Sequence, residues 1–211
     1  MKDADLVYAG WRALYQLAYI LLFRIRAVGV ERVPRRGGVL LAANHQSFLD
    51  PPAVGMALPR QMHFMARASL FRWPLAAWAL HGQHAVPLAR GAGDLSAMRL
   101  AVDLLREGRG LVLFPEGTRT PDGEVGEFKP GFATVAARAR VPVVPAAVDG
   151  GFEVWPRWQR VPRPGRVCVA YGEPLEPPQS NKASCVAAAA EVRRRVVALL
   201  ESIRDANDRT A

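Results

Sequence analysis

Hydrophobic and polar positions divide this chain into short apolar runs and helical stripes separated by turns. Short apolar runs predict strands at residues 39–43, 62–66, 85–88, 111–114, 142–148 and 166–171. Helical patterns are expected at residues 51–58, 69–80, 94–107, 131–139 and 183–204. Strands that alternate with helices predict a single α/β domain with a mixed, largely parallel sheet flanked by helices.

The first apolar stretch, residues 6–23, is long enough to suggest a transmembrane helix. Arg12 and Gln16 interrupt it, several aromatic residues are scattered along it, and two arginines follow it. This pattern is typical of an amphipathic helix at a membrane interface, although such a helix could also pack on the protein's own core. We expect an interfacial helix over residues 1–28 and one globular domain over residues 29–211.

Composition agrees with a globular domain that binds anions. Half of the 211 residues are hydrophobic and 22% are charged, which excludes a disordered chain. The net charge of +9 suits nucleic acid, anionic lipid or phosphorylated substrates, but a genome-wide preference for arginine codons is the favoured explanation for it. Cys168 and Cys185 form no CxxC pair, so no metal or disulfide framework is expected. The acidic start MKDAD differs from the basic start of a cleavable signal peptide.

Two polar loops follow predicted strands. The loop NHQSFLD comes after the strand at 39–43, and PEGTR comes after the strand at 111–114. Ligands of open α/β sheets lie at the carboxyl ends of strands. We therefore expect the two loops to face one pocket.

His45 and Asp50 are the first candidates for chemistry. Five positions would separate them by about 140° on a helix, so only a turn can pair them. A carboxylate that binds one ring nitrogen leaves the other nitrogen as a base. Alternatively, Asp50 is only the N-cap of the next helix, and His45 is a polar residue hydrogen-bonded in a turn. The two residues alone leave both interpretations open.

The loop FPEGTR and the segment EFKPG supply candidates for anion binding. Gly117 allows close backbone approach, Thr118 adds a hydroxyl, and Arg119 presents a fork that fits phosphate. An ordinary turn closed by a Glu116–Arg119 ion pair is the alternative. Lys129 precedes a helix whose first amides also attract anions, but it could equally be a solvated lysine.

The order and spacing of NHQSFLD, FPEGTR, FKPG and VPVVPAAV resemble the 1-acyl-glycerol-3-phosphate acyltransferase family of phospholipid synthesis. The stretch MARASLFRWPLAAWALHGQHAVPLAR is similar to that family's second block. The resemblance covers roughly residues 30–175. Arg67 and Arg90 bracket the second block, where either could contact phosphate or be solvated.

The resemblance implies roles for individual residues. His45 and Asp50 would be the catalytic pair, and Glu116, Arg119 and Arg90 would bind the glycerol phosphate. Two departures from the family pattern concern phosphate contacts. Arg67 stands where the family usually has lysine, and Lys129 is the single basic residue of its segment.

The resemblance also implies the reaction. An acyl group would pass from acyl-CoA or acyl-carrier protein to the sn-2 hydroxyl of 1-acyl-glycerol-3-phosphate, giving phosphatidic acid. We expect a lysophospholipid acceptor in a membrane, no metal or other cofactor, no nucleic-acid partner, and a peripheral or monotopic location on the cytoplasmic face of the cell membrane. The alternatives are another lysolipid acceptor such as lyso-ornithine lipid, a hydrolase using the same pair, or a non-catalytic membrane-surface protein.

Overall fold

Seven strands form one sheet in a computed structural model, which describes residues 10, 17, 21–72, 80, 85–88 and 94–208. The strands are β1 (Arg26–Val28), β2 (Val39–Ala43), β3 (Met62–Arg67), β4 (Ala85–Leu88), β5 (Gly110–Leu113), β6 (Val143–Asp149) and β7 (Cys168–Tyr171). The α-helices within the described ranges are α1 (Asp50–Met56), α2 (Asp94–Arg106), α3 (Gly131–Ala139), α4 (Gly151–Val154) and α5 (Lys182–Asp208). Two 3₁₀ helices, Val30–Arg32 and Ala68–Arg72, complete the set.

The sheet is mixed and mostly parallel, which confirms the predicted fold class. Its strand order is β1-β7-β6-β2-β5-β3-β4, and only the pair β6–β7 is antiparallel. β2 lies centrally between β5 and β6, with Ala42 opposite Leu113 and Ala43 opposite Ala146. The carboxyl ends of these three parallel strands therefore meet at one edge of the sheet.

Helices cover both faces of the sheet, which explains why β2 is apolar at every position. All five of its residues are buried. Leu40 and Ala42 pack in a core with α2, α3 and α5, whereas Val39, Leu41 and Ala43 pack on the other face with α1. Successive side chains of a strand point to opposite faces, so both sets must be apolar.

Besides the 3₁₀ helix Val30–Arg32, the structure adds two elements and alters a third. β1 and the short α4 have no predicted counterpart, because one is a three-residue edge strand and the other a single turn. The sheet thus begins before the predicted domain boundary at residue 29. The predicted helix at 69–80 starts instead as the 3₁₀ helix Ala68–Arg72, and residues 73–79 lie outside the described residues.

Most of the predicted N-terminal helix also lies outside the described residues. Leu21–Phe23 are helical, and Leu21 and Leu22 are exposed while Phe23 is buried in the core. Within the part of the chain that the structure describes, no helix is both long enough and apolar enough to span a bilayer.

Candidate active site

The loops after β2 and β5 lie side by side, as expected for neighbouring parallel strands. The backbone N–H of His45 donates to Oε1 of Glu116 at 3.3 Å. The backbone N–H of Thr120 donates to the carbonyl oxygen of His45 at 2.8 Å. These bonds hold NHQSFLD and PEGTR together at the carboxyl edge of the sheet.

Asn44 lets the chain leave the sheet without breaking the pairing with β6. Its Oδ1 accepts from the backbone N–H of Val148 at 2.7 Å, and its Nδ2 donates to the Val148 carbonyl at 2.9 Å. The side-chain amide thus replaces the backbone pair that the next residue of β2 would have made. His45 is the next residue and lies at the carboxyl edge of the sheet.

His45 and Asp50 are paired. His45 Nδ1 and Asp50 Oδ2 are 2.8 Å apart, and the imidazole stacks on Phe114 with ring centroids 4.2 Å apart. The His45 side chain is 19% exposed, whereas that of Asp50 is fully buried. A buried carboxylate on Nδ1 favours the tautomer with its proton on Nδ1, which leaves Nε2 as the basic nitrogen at the solvent side.

Asp50 does not cap the helix that it begins. The N-cap of α1 is Leu49, and no side chain caps the helix. Pro51 and Pro52 stand in the first turn, and because proline has no backbone N–H, few donors there need a partner. Besides His45, Asp50 Oδ2 accepts from the backbone N–H groups of Gln46 at 2.5 Å and Ser47 at 2.6 Å. All three donors lie upstream of the helix, so the N-cap interpretation is wrong.

The chain after β6 forms a third side of this site, which the sequence reasoning missed. Gln46 is buried, and its Oε1 accepts from the backbone N–H groups of Gly151 at 3.1 Å and Phe152 at 3.3 Å. A Cβ at Gly151 would lie 2.7 Å from Asp50 Oδ1. Glycine is therefore required here by the close approach of the carboxylate to the backbone. The signal available in the sequence was the pair Gly150–Gly151 directly after a strand.

Glu116 is almost completely buried beneath His45. The pKa of Glu116 is raised to about 7, mainly by burial and also by the charge of Asp50. Backbone hydrogen bonds from His45 and Gly126 act in the opposite direction, as does Arg193. These bonds tie the loop of Glu116 to the loops that contain His45 and Gly126, so Glu116 helps to hold the site together. Among the described residues it forms no ion pair with Arg119, so the alternative of a turn closed by that ion pair is wrong.

The raised pKa of Glu116 predicts a pH-dependent stability. The folded protein binds the proton more tightly than the unfolded chain, so the stabilising contribution is present at low pH and is lost as pH rises towards and through about 7. Glu116→Gln should therefore gain about 2–3 kcal/mol of unfolding free energy relative to the wild type between pH 5 and pH 8. Denaturant unfolding of both proteins at the two pH values measures this change.

Glu127→Gln is the matched control for that experiment, since Glu127 is exposed in the same loop region. Its stability relative to the wild type should stay constant between the two pH values. A constant difference for Glu116→Gln as well would show that Glu116 titrates normally.

Arg119 lies over the ring of Phe48, with its guanidinium carbon 3.5 Å from the ring centroid. Its Nη1 is buried and has no hydrogen-bond partner among the described residues. Burial and the nearby charge of Arg157 lower the pKa of Arg119, and Asp50 raises it. The Arg119 guanidinium thus has a buried donor without a partner and lies near a second cation. Both features suit the binding of an anion.

Lys129 reaches the same loop from the segment that precedes α3. Its Nζ would lie 3.2 Å from a Cβ placed on Gly117, whose φ of +74° is the left-handed conformation that favours glycine. Its backbone N–H donates to the Pro115 carbonyl at 3.1 Å. Gly117 and Thr118 are exposed at this edge. The structure thus brings all the predicted residues of PEGTR together with Lys129.

The structure says less about Arg67 and Arg90, the two arginines of the second block. Arg67 is the last residue of β3, at the same carboxyl edge of the sheet. Arg90 lies outside the described residues. Among the residues that the structure does describe, no three His, Cys, Asp or Glu side chains are grouped as metal ligands.

Comparisons with known proteins agree with this architecture. A family model described as Acyltransferase matches residues 24–149. The solved structure of the 1-acyl-sn-glycerophosphate acyltransferase of Thermotoga maritima superposes with a TM-score of 0.78 at 28% identity, covering 94% of this chain and 83% of that one.

Curated relatives add sequence matches. The 1-acyl-sn-glycerol-3-phosphate acyltransferase of Bacillus subtilis is 32% identical over 155 residues, which are 72% of this chain and 73% of that protein. The lyso-ornithine lipid O-acyltransferase of Pseudomonas aeruginosa is 36% identical over 138 residues, 64% of this chain and 51% of that protein. The chain spans between 38% and 51% of the length of three plant and algal relatives. The family match and the Bacillus relative show that this chain belongs to the 1-acyl-sn-glycerol-3-phosphate acyltransferase family.

Proposed function

We propose that this protein transfers an acyl group from a thioester to the sn-2 hydroxyl of 1-acyl-glycerol-3-phosphate, with His45 as the general base. The observation that carries the proposal is the 2.8 Å contact between His45 Nδ1 and a fully buried Asp50 carboxylate. This contact leaves Nε2 as the basic nitrogen at an accessible edge of the sheet. The adjoining loop contains Arg119, whose buried Nη1 has no hydrogen-bond partner among the described residues.

In the proposed reaction, His45 Nε2 takes the proton of the acceptor hydroxyl as its oxygen attacks the thioester carbonyl. Asp50 stabilises the imidazolium that forms. The C–S bond then breaks, the thiolate leaves, and the imidazolium returns a proton to it. No enzyme nucleophile is needed, because the acceptor oxygen attacks the acyl carbon directly.

Arg119 is the proposed ligand of the acceptor phosphate. Lys129, whose Nζ lies close to Gly117 in the same loop, is a further candidate, as are Arg67 and Arg90. Glu116 supports this loop through its bond to His45. Guanidinium groups bind phosphate by charge-assisted hydrogen bonds, which are worth about 1.5–3 kcal/mol each.

Arg119→Ala should raise the KM for the acceptor roughly tenfold or more while moving the KM for the donor much less. The physical reason is that the lost guanidinium would bind the phosphate of the acceptor and make no contact with the donor. Steady-state kinetics with each substrate varied in turn measure both constants. Arg99→Ala, an exposed arginine on α2, is the matched control and should change neither. Equal loss of affinity for donor and acceptor would contradict this role.

A second acceptor is favoured by one observation. The relative named lyso-ornithine lipid O-acyltransferase is 36% identical to this chain. An ornithine headgroup carries a carboxylate and an amine in place of phosphate, so Arg119 would bind a different anion through the same fork.

The direct test incubates the protein with acyl-CoA or acyl-carrier protein as donor and a panel of lysolipid acceptors, with products identified by mass spectrometry. Phosphatidic acid formation supports the proposal, and acylated ornithine lipid supports the second acceptor. Thioester loss without acyl transfer would indicate a hydrolase. Lipid binding with neither reaction would indicate a non-catalytic surface protein.

We also propose that residues 1–28 include an interfacial helix that holds the protein on the cytoplasmic face of the membrane. A centrally placed arginine costs roughly 2.5–3.5 kcal/mol on insertion scales, so Arg12 opposes a span. In an interfacial helix Arg12 and Gln16 stay at headgroup level while the apolar side chains enter the lipid.

Deletion of residues 1–24 should release the protein from membranes and lower turnover on bilayer acceptor, while the domain remains folded. β1 begins at Arg26, so its pairing with β7 is kept, although the core loses the buried Phe23. Membrane flotation and circular dichroism measure the two effects. For the intact protein, detergent rather than high salt should be needed for release, because apolar burial is the larger contribution. Labelling of residue 2 from the membrane side opposite the domain would demonstrate a span and contradict the proposal.

A further inference from the structure

A basic loop with exposed apolar side chains lies beside the candidate active site, where its Arg157 is near Arg119. Residues 155–166 read WPRWQRVPRPGR, with four arginines and no acidic residue. Trp158 is 63% exposed and Val161 is 68% exposed. Large apolar side chains so exposed among cations are suited to a surface that is both apolar and anionic.

The loop holds these side chains outward by its own hydrogen bonds. Trp155 Nε1 donates to the Gln159 carbonyl at 2.9 Å, and the backbone N–H of Arg163 donates to the Val154 carbonyl at 2.8 Å. The ring of Trp158 meets that of Phe152 edge to face, with centroids 5.3 Å apart. These contacts therefore fix the part of the loop from which Trp158 projects.

The loop adjoins the end of the N-terminal segment. The backbone N–H of Gly165 donates to the Leu22 carbonyl at 3.1 Å, and that of Val167 donates to the Phe23 carbonyl at 3.0 Å. Leu21 and Leu22 are 70% and 47% exposed. The end of the loop is thus hydrogen-bonded to a second segment that also carries exposed apolar side chains.

On its other side the loop reaches the anion-binding residues. The ring centroids of Trp155 and Phe48 are 5.3 Å apart, and the guanidinium of Arg119 lies over the ring of Phe48. Phe48 is itself 47% exposed. The contacts of Trp155 and Phe48 therefore connect the start of the loop to the proposed phosphate ligand.

We propose that residues 155–166 dock on the anionic surface of a lipid bilayer, with Trp158 and Val161 in the headgroup layer and Arg160 and Arg163 on lipid phosphates. Charge complementarity supports this partner, since neither arginine has a carboxylate partner among the described residues. The apolar side chains project singly between arginines, which suits a fluid layer that moulds around them rather than the larger apolar core of a protein interface.

This docking rests on the proposed function, because its purpose is to bring a lipid acceptor to Arg119. The loop contacts Phe48 through Trp155 and the Leu21–Phe23 segment through Gly165, so a bilayer docked on the loop would lie near Phe48. The acceptor headgroup could then reach the site while its acyl chain stays in lipid.

A fluorophore at position 161 tests the contact directly. Cys168 and Cys185 are buried, so Val161→Cys in the full-length chain can be labelled selectively with an environment-sensitive dye. Vesicles containing phosphatidylglycerol should shift its emission to the blue, and brominated lipids should quench it. Leu95→Cys, an exposed position on α2 across the sheet, should show neither effect.

Dye emission at position 161 that stays as in water, while the protein floats with the vesicles, would overturn the docking. So would a dye that responds to acyl-carrier protein but not to vesicles, since the loop would then bind an acidic protein.

Loop variants separate docking from catalysis. Arg160→Gln combined with Arg163→Gln should weaken partitioning onto phosphatidylglycerol vesicles roughly tenfold or more. Trp158→Ser combined with Val161→Ser should also weaken partitioning, whereas Leu95→Ser and Arg99→Gln should not. Thermal unfolding confirms that each variant is folded.

Turnover on a short-chain acceptor dissolved as monomers should stay within about twofold of the wild type in both loop variants. Unchanged partitioning, or an equal loss of turnover on the dissolved acceptor, would overturn the proposal. If the wild type transfers no acyl group at all, the proposed reaction fails, but the partitioning and dye measurements still decide whether the loop docks.

Discussion

His45→Ala is expected to lower kcat by at least roughly 10²-fold, because it removes the base that takes the acceptor proton in the proposed reaction. The KM values should change little, since the imidazole binds neither the phosphate nor the acyl chain. Stability should fall by only about 1 kcal/mol, because Asp50 Oδ2 keeps its two backbone donors from Gln46 and Ser47. Steady-state kinetics and denaturant unfolding measure the two effects.

His63→Gln is the matched control for this variant. His63 pairs with Leu111 near the start of its strand, at the edge of the sheet opposite the candidate active site. Its ring Nδ1 lies 3.3 Å from the Gly110 carbonyl, a contact that a glutamine amide can replace. Turnover should be retained in His63→Gln. Near-normal turnover in His45→Ala would remove the proposed mechanism.

The sheet was predictable because its central strands are buried on both faces. Residues 39–43 read as a continuous apolar run, and the strand has the same bounds in the structure. β1 was missed because its three residues are half-buried or exposed at an edge, where no periodicity selects for apolar side chains. The single turn Gly151–Val154 is likewise too short to show a helical stripe.

The site was predictable only as far as local sequence determines it. Polar loops after buried strands indicated the correct edge of the sheet, and the spacing of His45 and Asp50 allowed a turn to pair them. The partner of Glu116 could not be read locally, because its bond to His45 joins residues 71 positions apart. The contact of Gly151 with Asp50 depends in the same way on β6 lying beside β2.

Asp50→Asn should lower kcat by roughly 10²–10⁴-fold with a smaller effect on folding. An asparagine oxygen in the place of Oδ2 can still accept from Gln46, Ser47 and the His45 ring, so the loop keeps its shape. What disappears is the negative charge that stabilises the imidazolium during the reaction. The amide NH₂ then takes the place of Oδ1 against Gly151, where an unpaired buried donor costs about 1–3 kcal/mol.

The substitution separates charge from shape, because asparagine caps helices about as well as aspartate. If Asp50 served only to begin α1, Asp50→Asn would keep full turnover. Asp103→Asn, an exposed position on α2, is the matched control and should have normal kcat and stability. Turnover of Asp50→Asn within about threefold of the wild type would show that the carboxylate charge is not used in the reaction, and the pairing of His45 with Asp50 would then be structural.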